Sequence, residues 1–356
     1  MRKIIDLYKK IIENYRLALL VLISIGILAF VNIFPNYFIA DDFYFTVDWP
    51  LIQHWQNVPR FFAGYMTPRG QDGIYSPLRT LFFSVNYHLW QEQPWGYHLV
   101  SLIVHSLGIW AAYRLLFLLT ASRVVSFLGT LIFAVHPVHV ESITYITATA
   151  DTVGLVLLLL SFFYYVRSFG KKTGAGLMNL SDGKADGVDE KDYRLALIWG
   201  AAAMFTHELA LSLPFLIAFY DALFSPDRCS WKRVLKRVLP FFLAAGLYLV
   251  LKQFTLGGLN RGEYPFGAPF QTFLVVLKSW ALYGSVLIFP PVLSHHRTIS
   301  AGIFSFDETG FDRQAFLSQS PADPQVLFSA VLLLTFLVIA VKYYRRMPLV
   351  SFCIGW

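Results

Sequence analysis

The chain has 356 residues, of which 56% are hydrophobic and only 14% charged, and its mean hydropathy is +0.54. Apolar runs of roughly 20 residues recur, each long enough for a hydrocarbon layer of about 30 Å, which excludes disorder, collagen, a disulfide scaffold and a nucleic-acid-binding domain. The net charge is +7, and most of the Lys and Arg residues lie between the apolar runs, where they indicate orientation in a membrane. We therefore expect an all-α polytopic bundle of transmembrane helices, with Cys229 a free thiol.

The first predicted span covers residues 17–34 and follows five basic residues, which places the N-terminus in the cytoplasm. Residues 35–94 are then predicted to form a large extracytoplasmic loop. Within it, "PLRTLFFSVNYHLW" carries apolar residues on most sides and is typical of an interfacial helix lying on the membrane. The second span, 96–120, returns to the cytoplasm.

Four further spans are predicted, over residues 124–135, 152–166, 195–205 and 209–224, and their connections agree with a cytoplasmic N-terminus. The outer connection after the third span contains no Lys or Arg, and "THE" joins the fifth and sixth spans outside. Residues 167–194, rich in Gly, Asp and Lys, are predicted to be a flexible cytoplasmic linker. "DRCSWKRVLKR" then adds five basic residues on the cytoplasmic side.

The last part of the chain fits the charge rule less well. A seventh span is predicted at 238–254 and another at 327–341, but a full crossing by 272–289 would leave "KYYRR" outside. We therefore expect a re-entrant or hairpin path for 272–289. We expect one transmembrane domain over 1–356, and because the sequence stops within a new apolar run, we expect the natural protein to continue.

In this orientation the acidic groups and imidazoles at the span ends collect in one external layer, although the charge rule used none of them. Ionisable groups at membrane depth are costly and indicate function by default. The residues of this layer are Asp41, Asp42, Arg79, His98, His105, His136, His139, Glu141, Asp151, His207 and Glu208.

Each part of the layer also has a simpler interpretation. Asp41 and Asp42 are compatible with a solvated boundary or a helix cap. His98, Ser101 and His105 form one helical stripe that is equally suited to hydrogen bonds between helices. "HPVHVE" contains metal-ligand residue types, but its proline breaks the helical geometry that a His pair would use, and "HELAL" lacks the second His of a zincin motif.

A carboxylate pair that faces basic and imidazole groups at the membrane surface suits a general base beside an anionic leaving group. A lipid-linked phosphosugar supplies such a leaving group and explains the interfacial position. A transporter would carry its ionisable groups near the bilayer midplane on broken helices, often with repeats. A membrane transporter or metal-binding protein that uses the outer His and Glu cluster is the alternative.

Several segments resemble the GT-C superfamily of polytopic glycosyltransferases, and within it the transmembrane and tetratricopeptide-repeat O-mannosyltransferases. The segments are "FIADDFYF", "YSPLRTLFFSVNYHLW", "GYHLVSLIVHSL", "LIFAVHPVHVESITYITATADTVGLVLLLLSF", "FTHELALSLPFLIAFYD" and "LIFPPVLSHHRTIS". Three positions depart from the family pattern: His207 stands for Lys, Thr149 for Arg and His296 for Asp. No tetratricopeptide repeat is present in the sequence.

The resemblance implies transfer of a mannose-like sugar from a polyprenyl-phosphate carrier to an acceptor hydroxyl, such as protein Ser or Thr, with inversion. Asp41 would be the base, and Asp42 would orient the acceptor or support that base. His207, Arg79 and Arg261 would neutralise the lipid phosphate, while His136, His139 and Glu141 would shape the pocket. The resemblance implies no metal or other cofactor, and its expected partners are the lipid-linked donor, a protein or glycan acceptor and the bilayer, with no nucleic acid. Of the two candidate membranes, a bacterial inner membrane and the endoplasmic reticulum, we expect the bacterial one.

Overall fold

The computed structural model describes residues 10–64, 74–169, 188–224, 231–258, 264–288, 290 and 317–356. Over these residues the chain forms helices and no strand, which confirms the all-α fold class. The described α-helices are, in chain order, α1 (Tyr15–Phe30), α2 (Asp41–Phe45), α3 (Val58–Phe62), α4 (Pro77–Trp90), α5 (Pro94–Thr120), α6 (Arg123–Val135), α7 (His139–Thr144), α8 (Thr149–Ser168), α9 (Glu190–Thr206), α10 (Leu213–Phe224), α11 (Trp231–Leu256), α12 (Pro269–Ile288), α13 (Pro324–Tyr343) and α14 (Pro348–Gly355).

Among the described helices, six are long and apolar enough to cross a membrane. The chain is therefore a multi-pass integral membrane protein. The six segments are Tyr15–Ile33, Pro94–Thr120, Ile146–Ser168, Val234–Leu256, Pro269–Ile288 and Pro324–Tyr343.

Several helix ends follow from local sequence. Asn14 caps α1 by accepting hydrogen bonds from the backbone N–H groups of Arg16 and Leu17. Proline occupies the first position of α4 and α5, where its missing N–H costs nothing. α6 ends at Val135 because His136 is extended and Pro137 follows it, as the sequence predicted.

The spans predicted third, fifth and sixth are shorter helices, α6 with 13 residues, α9 with 17 and α10 with 12. The sixth was expected to begin at Leu209, and this start was wrong. Glu208–Ser212 forms a 3₁₀ helix and α10 begins only at Leu213. The charged first turns of α9 leave it a shorter apolar stretch.

The hairpin or re-entrant path expected for 272–289 was also wrong over the described residues. Pro269–Ile288 is one continuous helix of 20 residues, long and apolar enough to cross a membrane. The expectation rested on charge placement further along the chain, which does not report on the continuity of an apolar helix. Most of the predicted linker 167–194 lies outside the described residues.

The chain divides into two compact units, Met1–Leu259 and Asn260–Trp356. In the first, α8 packs against α9 and α5, and α5 packs against α1 and α6. Small residues allow the close approach of α8 and α9, because the Ser161 hydroxyl donates to the Ala196 carbonyl at 2.7 Å and a Cβ at Gly200 would lie 2.9 Å from Ser161 Oγ. In the second unit, α13 packs against both α12 and α14.

Candidate active site

The predicted acid pair opens the short helix α2, and its two members lie in different environments. Asp42 is 1% exposed, whereas Asp41 is exposed to solvent. Ala40, just before the pair, has φ 45° and ψ −120°, a region that glycine favours and that strains a residue with a Cβ. Consecutive residues of an α-helix point about 100° apart, so the two neighbouring carboxylates face different directions.

The buried carboxylate of Asp42 is held by three hydrogen bonds. Its Oδ1 accepts the backbone N–H of Thr147 at 2.8 Å and the Thr147 hydroxyl at 2.7 Å, and its Oδ2 accepts the backbone N–H of Ile39 at 3.2 Å. Burial raises the pKa of Asp42 above its usual value, although these bonds and the nearby His98 act in the opposite direction. Asp42 thus fixes the loop and is withdrawn from solvent.

Asp41 has the opposite properties. Its backbone N–H donates to the hydroxyl oxygen of Tyr145 at 3.2 Å, and its exposed carboxylate forms no hydrogen bond within the part of the chain that the structure describes. Burial, together with the carboxylates of Asp41 and Asp42, raises the pKa of Tyr145 to about 12, so its phenol stays protonated at neutral pH. The backbone of Asp41 is anchored while its side chain faces outward.

Arg79 reaches the same group from α4. Its Nη2 donates to the carbonyl of Thr147 at 3.5 Å, and its guanidinium lies over the rings of Phe45 and Phe83, 5.2 and 5.7 Å from their centroids. The Thr147 residue therefore contacts the buried acid through its N–H and hydroxyl, and the cation through its carbonyl. Thr147 was missed from the sequence, where it was one of several threonines in the outer connection.

The stripe predicted on α5 is buried and contacts a loop and two other helices. Nε2 of His98 hydrogen-bonds the Asn36 carbonyl at 3.2 Å, and Nε2 of His105 hydrogen-bonds the Ala134 carbonyl at 3.0 Å. The Ser101 hydroxyl pairs with that of Thr149 at 2.6 Å. Thr149, one of the three departures from the family pattern, therefore bridges α8 and α5.

The "HPVHVE" segment bends between α6 and α7. The ring of His139 lies against Phe133, with centroids 4.6 Å apart, and 5.7 Å from the ring of His105. Burial and the neighbouring imidazoles lower the pKa of His139 to about 4, so it is neutral at physiological pH. His136 accepts the Val138 N–H on Nδ1 at 3.1 Å, and Glu141 is exposed.

Within the described ranges, no three His, Cys, Asp or Glu side chains are grouped so that they could hold a metal ion. The His and Glu residues of the outer layer are instead distributed over separate hydrogen-bond and ring contacts.

His207 and Glu208 lie where α9 ends and a 3₁₀ turn begins. The backbone N–H of Leu209 donates to His207 Nδ1 at 3.1 Å, which leaves the proton of the neutral ring on Nε2, 3.4 Å from Asp151 Oδ1. Glu208 Oε1 accepts from Lys252 Nζ at 2.8 Å. Lys252 was missed from the sequence, where it resembled a lysine near the end of a span.

The structure therefore brings Asp42 and Arg79 together at Thr147, and His207 together with Asp151. Thr147 lies just before α8, and Asp151 lies in its first turn, four residues further on. The start of α8 therefore contacts both groups. His105, His136 and His139 form separate ring contacts with one another. Arg261 and His296 fall outside the described residues.

The fold and these contacts define an all-α, multi-pass membrane protein with acidic, basic and imidazole groups gathered at connected helix ends. The chain is 29% identical over 230 residues to the protein O-mannosyl-transferase TMTC4 of Mus musculus, covering 58% of this chain and 29% of that relative. It is 34% identical over 123 residues to the human protein O-mannosyl-transferase TMTC3, covering 34% of this chain and 13% of the relative.

A third relative, the protein O-mannosyl-transferase F38B6.6 of Caenorhabditis elegans, is 27% identical over 158 residues, or 42% of this chain and 23% of the relative. These alignments confirm the resemblance to the O-mannosyltransferases that the motifs indicated. The chain spans less than a third of the length of each of these three relatives. No family model and no solved structure matches it.

Proposed function

We propose that the protein is a membrane glycosyltransferase that moves a mannose-like sugar from a polyprenyl-phosphate carrier to an acceptor hydroxyl, with Asp41 as general base. The contrast within the acid pair carries the proposal: Asp42 is buried and hydrogen-bonded, whereas Asp41 is exposed beside it. The relatives named protein O-mannosyl-transferases support mannose as the sugar and a protein Ser or Thr as the acceptor.

In the proposed reaction Asp41 takes the proton of the acceptor hydroxyl as its oxygen attacks the anomeric carbon. A new C–O bond forms, the bond from that carbon to the carrier phosphate breaks, and polyprenyl phosphate leaves with the bonding electrons. Attack opposite the leaving group inverts the anomeric centre. The charges of Arg79 and His207 would stabilise the developing phosphate anion, and no cofactor takes part because the lipid-linked sugar is itself the substrate.

The other residues of the layer would act on binding. Asp42 would orient the base through the loop that it anchors, and Arg261 would add a further charge to the donor phosphate. The pocket for sugar and acceptor would be shaped by the remaining imidazoles and acids, namely His98, His105, His136, His139, Glu141, Asp151 and Glu208.

We also propose that this site faces the extracytoplasmic side of a bacterial inner membrane, with the N-terminus in the cytoplasm. Gln91 and Glu190 are exposed residues on what would be opposite sides. With Cys229 and Cys353 replaced by serine, a cysteine at 91 should react with an impermeant thiol reagent in intact cells and one at 190 only after lysis. Labelling of 190 alone in intact cells would overturn the orientation.

The activity itself is tested with the purified protein in lipid nanodiscs, polyprenyl-phosphate [³H]mannose and a Ser/Thr-containing peptide. We expect label in the peptide with wild-type protein and almost none with Asp41→Asn. A well-folded wild-type protein that transfers neither mannose nor any other hexose from this class of carrier to a peptide or glycan would overturn the proposal.

A further inference from the structure

Lys252 is a charged residue placed where charge is costly. It lies in the apolar segment Val234–Leu256, and it is 3% exposed. A buried ammonium within a membrane segment is retained only where a partner and a role support it. Its partner is the carboxylate of Glu208, at 2.8 Å from Nζ, in the turn after α9.

The two consecutive residues of this turn reach opposite helices. His207 extends towards Asp151 of α8, with Nε2 3.4 Å from Oδ1, while Glu208 extends to Lys252 of α11. The backbone of α8 comes close at Gly154, where a Cβ would lie 2.9 Å from the Cβ of His207. Within the described residues, His207 therefore links the turn to α8 through Asp151, and Glu208 links it to α11 through Lys252.

We propose that Lys252 is a positioning residue for His207: its ion pair with Glu208 fixes the turn against α11 and sets the electrostatic surroundings of the imidazole. Only the expected effect of Lys252 on sugar transfer rests on the proposed function. The structural and electrostatic part concerns His207 alone and is measured without any substrate.

Among the described residues, three charged side chains lie near His207. The elements around the turn are α8, α9, α10 and α11, and their charged residues near it are Asp151, Glu208 and Lys252. The other charged residues of those helices lie towards their opposite ends, such as Arg167 and Asp192, which pair with each other.

The proposal predicts shifts of opposite sign in two single variants. Lys252→Met removes a positive charge from the surroundings of the imidazole and favours the imidazolium, so His207 should titrate at higher pH than in the wild type. Glu208→Gln leaves the ammonium uncompensated and should move the titration to lower pH. The double variant should return towards the wild-type midpoint.

The titration is followed by NMR of ¹³C-histidine-labelled protein in nanodiscs, with the His207→Ala spectrum identifying the signal. Arg167→Met is the matched control, because it breaks an ion pair at the other end of α8 and should leave the His207 midpoint unchanged. Equal midpoints in wild type, Lys252→Met and Glu208→Gln would overturn the proposal whether or not the protein transfers sugar. If Lys252→Met does not fold, the His207 midpoints of Glu208→Gln and Lys252→Arg are compared with the wild type instead. The midpoint should be lower in Glu208→Gln and unchanged in Lys252→Arg, and an unchanged midpoint in Glu208→Gln would overturn the proposal.

In the transfer assay, Lys252→Met should lower kcat by about 10-fold or more with little change in the KM for the peptide, because small displacements of a catalytic group are costly. Lys252→Arg should restore most of the rate. A wild type that transfers nothing while the titration shifts appear would contradict the proposed function and leave the positioning role standing.

Discussion

Asp42 and Thr147 are 105 positions apart in the chain, yet the Asp42 carboxylate accepts both the backbone N–H and the hydroxyl of Thr147, at 2.8 and 2.7 Å. The carbonyl of the same threonine accepts a hydrogen bond from Arg79. A single residue, Thr147, thus holds the first extramembrane loop in place and links the acid pair to the guanidinium of Arg79. Disturbing it should affect both stability and transfer.

Thr147→Val removes the hydroxyl donor and leaves a buried carboxylate with one bond fewer, at a cost of about 1–3 kcal/mol in the free energy of unfolding. Thr147→Ser should stay near the wild type. Thr144→Val is the matched control, because among the described residues the Thr144 hydroxyl bonds only the Val140 carbonyl of its own helix. Thermal unfolding in detergent with parallel transfer assays measures the effect, and equal behaviour of Thr147→Val and Thr144→Val would contradict the role of Thr147.

The raised pKa of Asp42 predicts how stability depends on pH. Its ordinary value is 3.8, and burial raises it in the folded protein. At a pH between the unfolded and the folded pKa of Asp42, the folded chain binds more protons than the unfolded chain. The free energy of unfolding therefore falls as pH rises between these two pKa values, and above the folded pKa Asp42 causes no further change. Asp42→Asn lacks this decline.

The stability of Asp42→Asn relative to the wild type should therefore increase as pH rises from about 4 towards neutrality. Thermal midpoints measured across this range in one detergent test it. Curves for the two proteins that run parallel throughout would contradict the burial of an ionisable Asp42.

The conformation of Ala40 predicts an unusual response to glycine. At φ 45° and ψ −120°, a Cβ is strained, so Ala40→Gly should raise stability by about 1 kcal/mol and Ala40→Val should lower it by more. Ala121, at φ 55° after α5, is the matched comparison, because glycine there should stabilise the protein as well. A loss of stability in Ala40→Gly would show that the turn is not strained as described.

The membrane helices could be predicted closely because their signal is local and compositional. The second span, expected at 96–120, is observed at Pro94–Thr120. The start of the sixth span could not be predicted in this way, since Leu209 belongs to the same apolar run as α10, and a 3₁₀ turn depends on the ring of His207 accepting the Leu209 N–H.

The candidate site was partly predictable for the same reason. The sequence identifies Asp41 and Asp42 as a pair but not which of them is buried, because that depends on Thr147, far along the chain. Lys252 close to a span end looks like any lysine that extends its amine to the interface. Only the structure, which places Glu208 beside Lys252, shows that this lysine is paired within the protein.

His207→Lys should retain transfer, whereas His207→Ala should lower it. An ammonium and an imidazole can both pair with Asp151 and donate to a phosphate oxygen, but the lysine stays charged at neutral pH and the imidazole only partly. Activity of the wild type should therefore fall more steeply above about pH 7 than that of His207→Lys. Rate profiles measured from pH 6 to 9 provide the comparison, and identical profiles would argue that His207 does not act on the phosphate.

The role of Asp41 distinguishes catalysis from a structural boundary. The amide in Asp41→Asn is nearly isosteric but cannot accept a proton. Because Asp41 is exposed and its backbone N–H keeps its bond to Tyr145, folding and donor binding should be unchanged. Asp42→Asn should instead lower stability together with the rate.

The most direct measurement is the single-turnover rate of mannose transfer from polyprenyl-phosphate mannose by Asp41→Asn in nanodiscs, at saturating donor and with donor binding measured on the same sample. We expect a rate about 10²- to 10⁴-fold below the wild type with donor binding intact, the usual range for loss of a general base. A variant that retains more than about half of the wild-type rate would contradict Asp41 as the base.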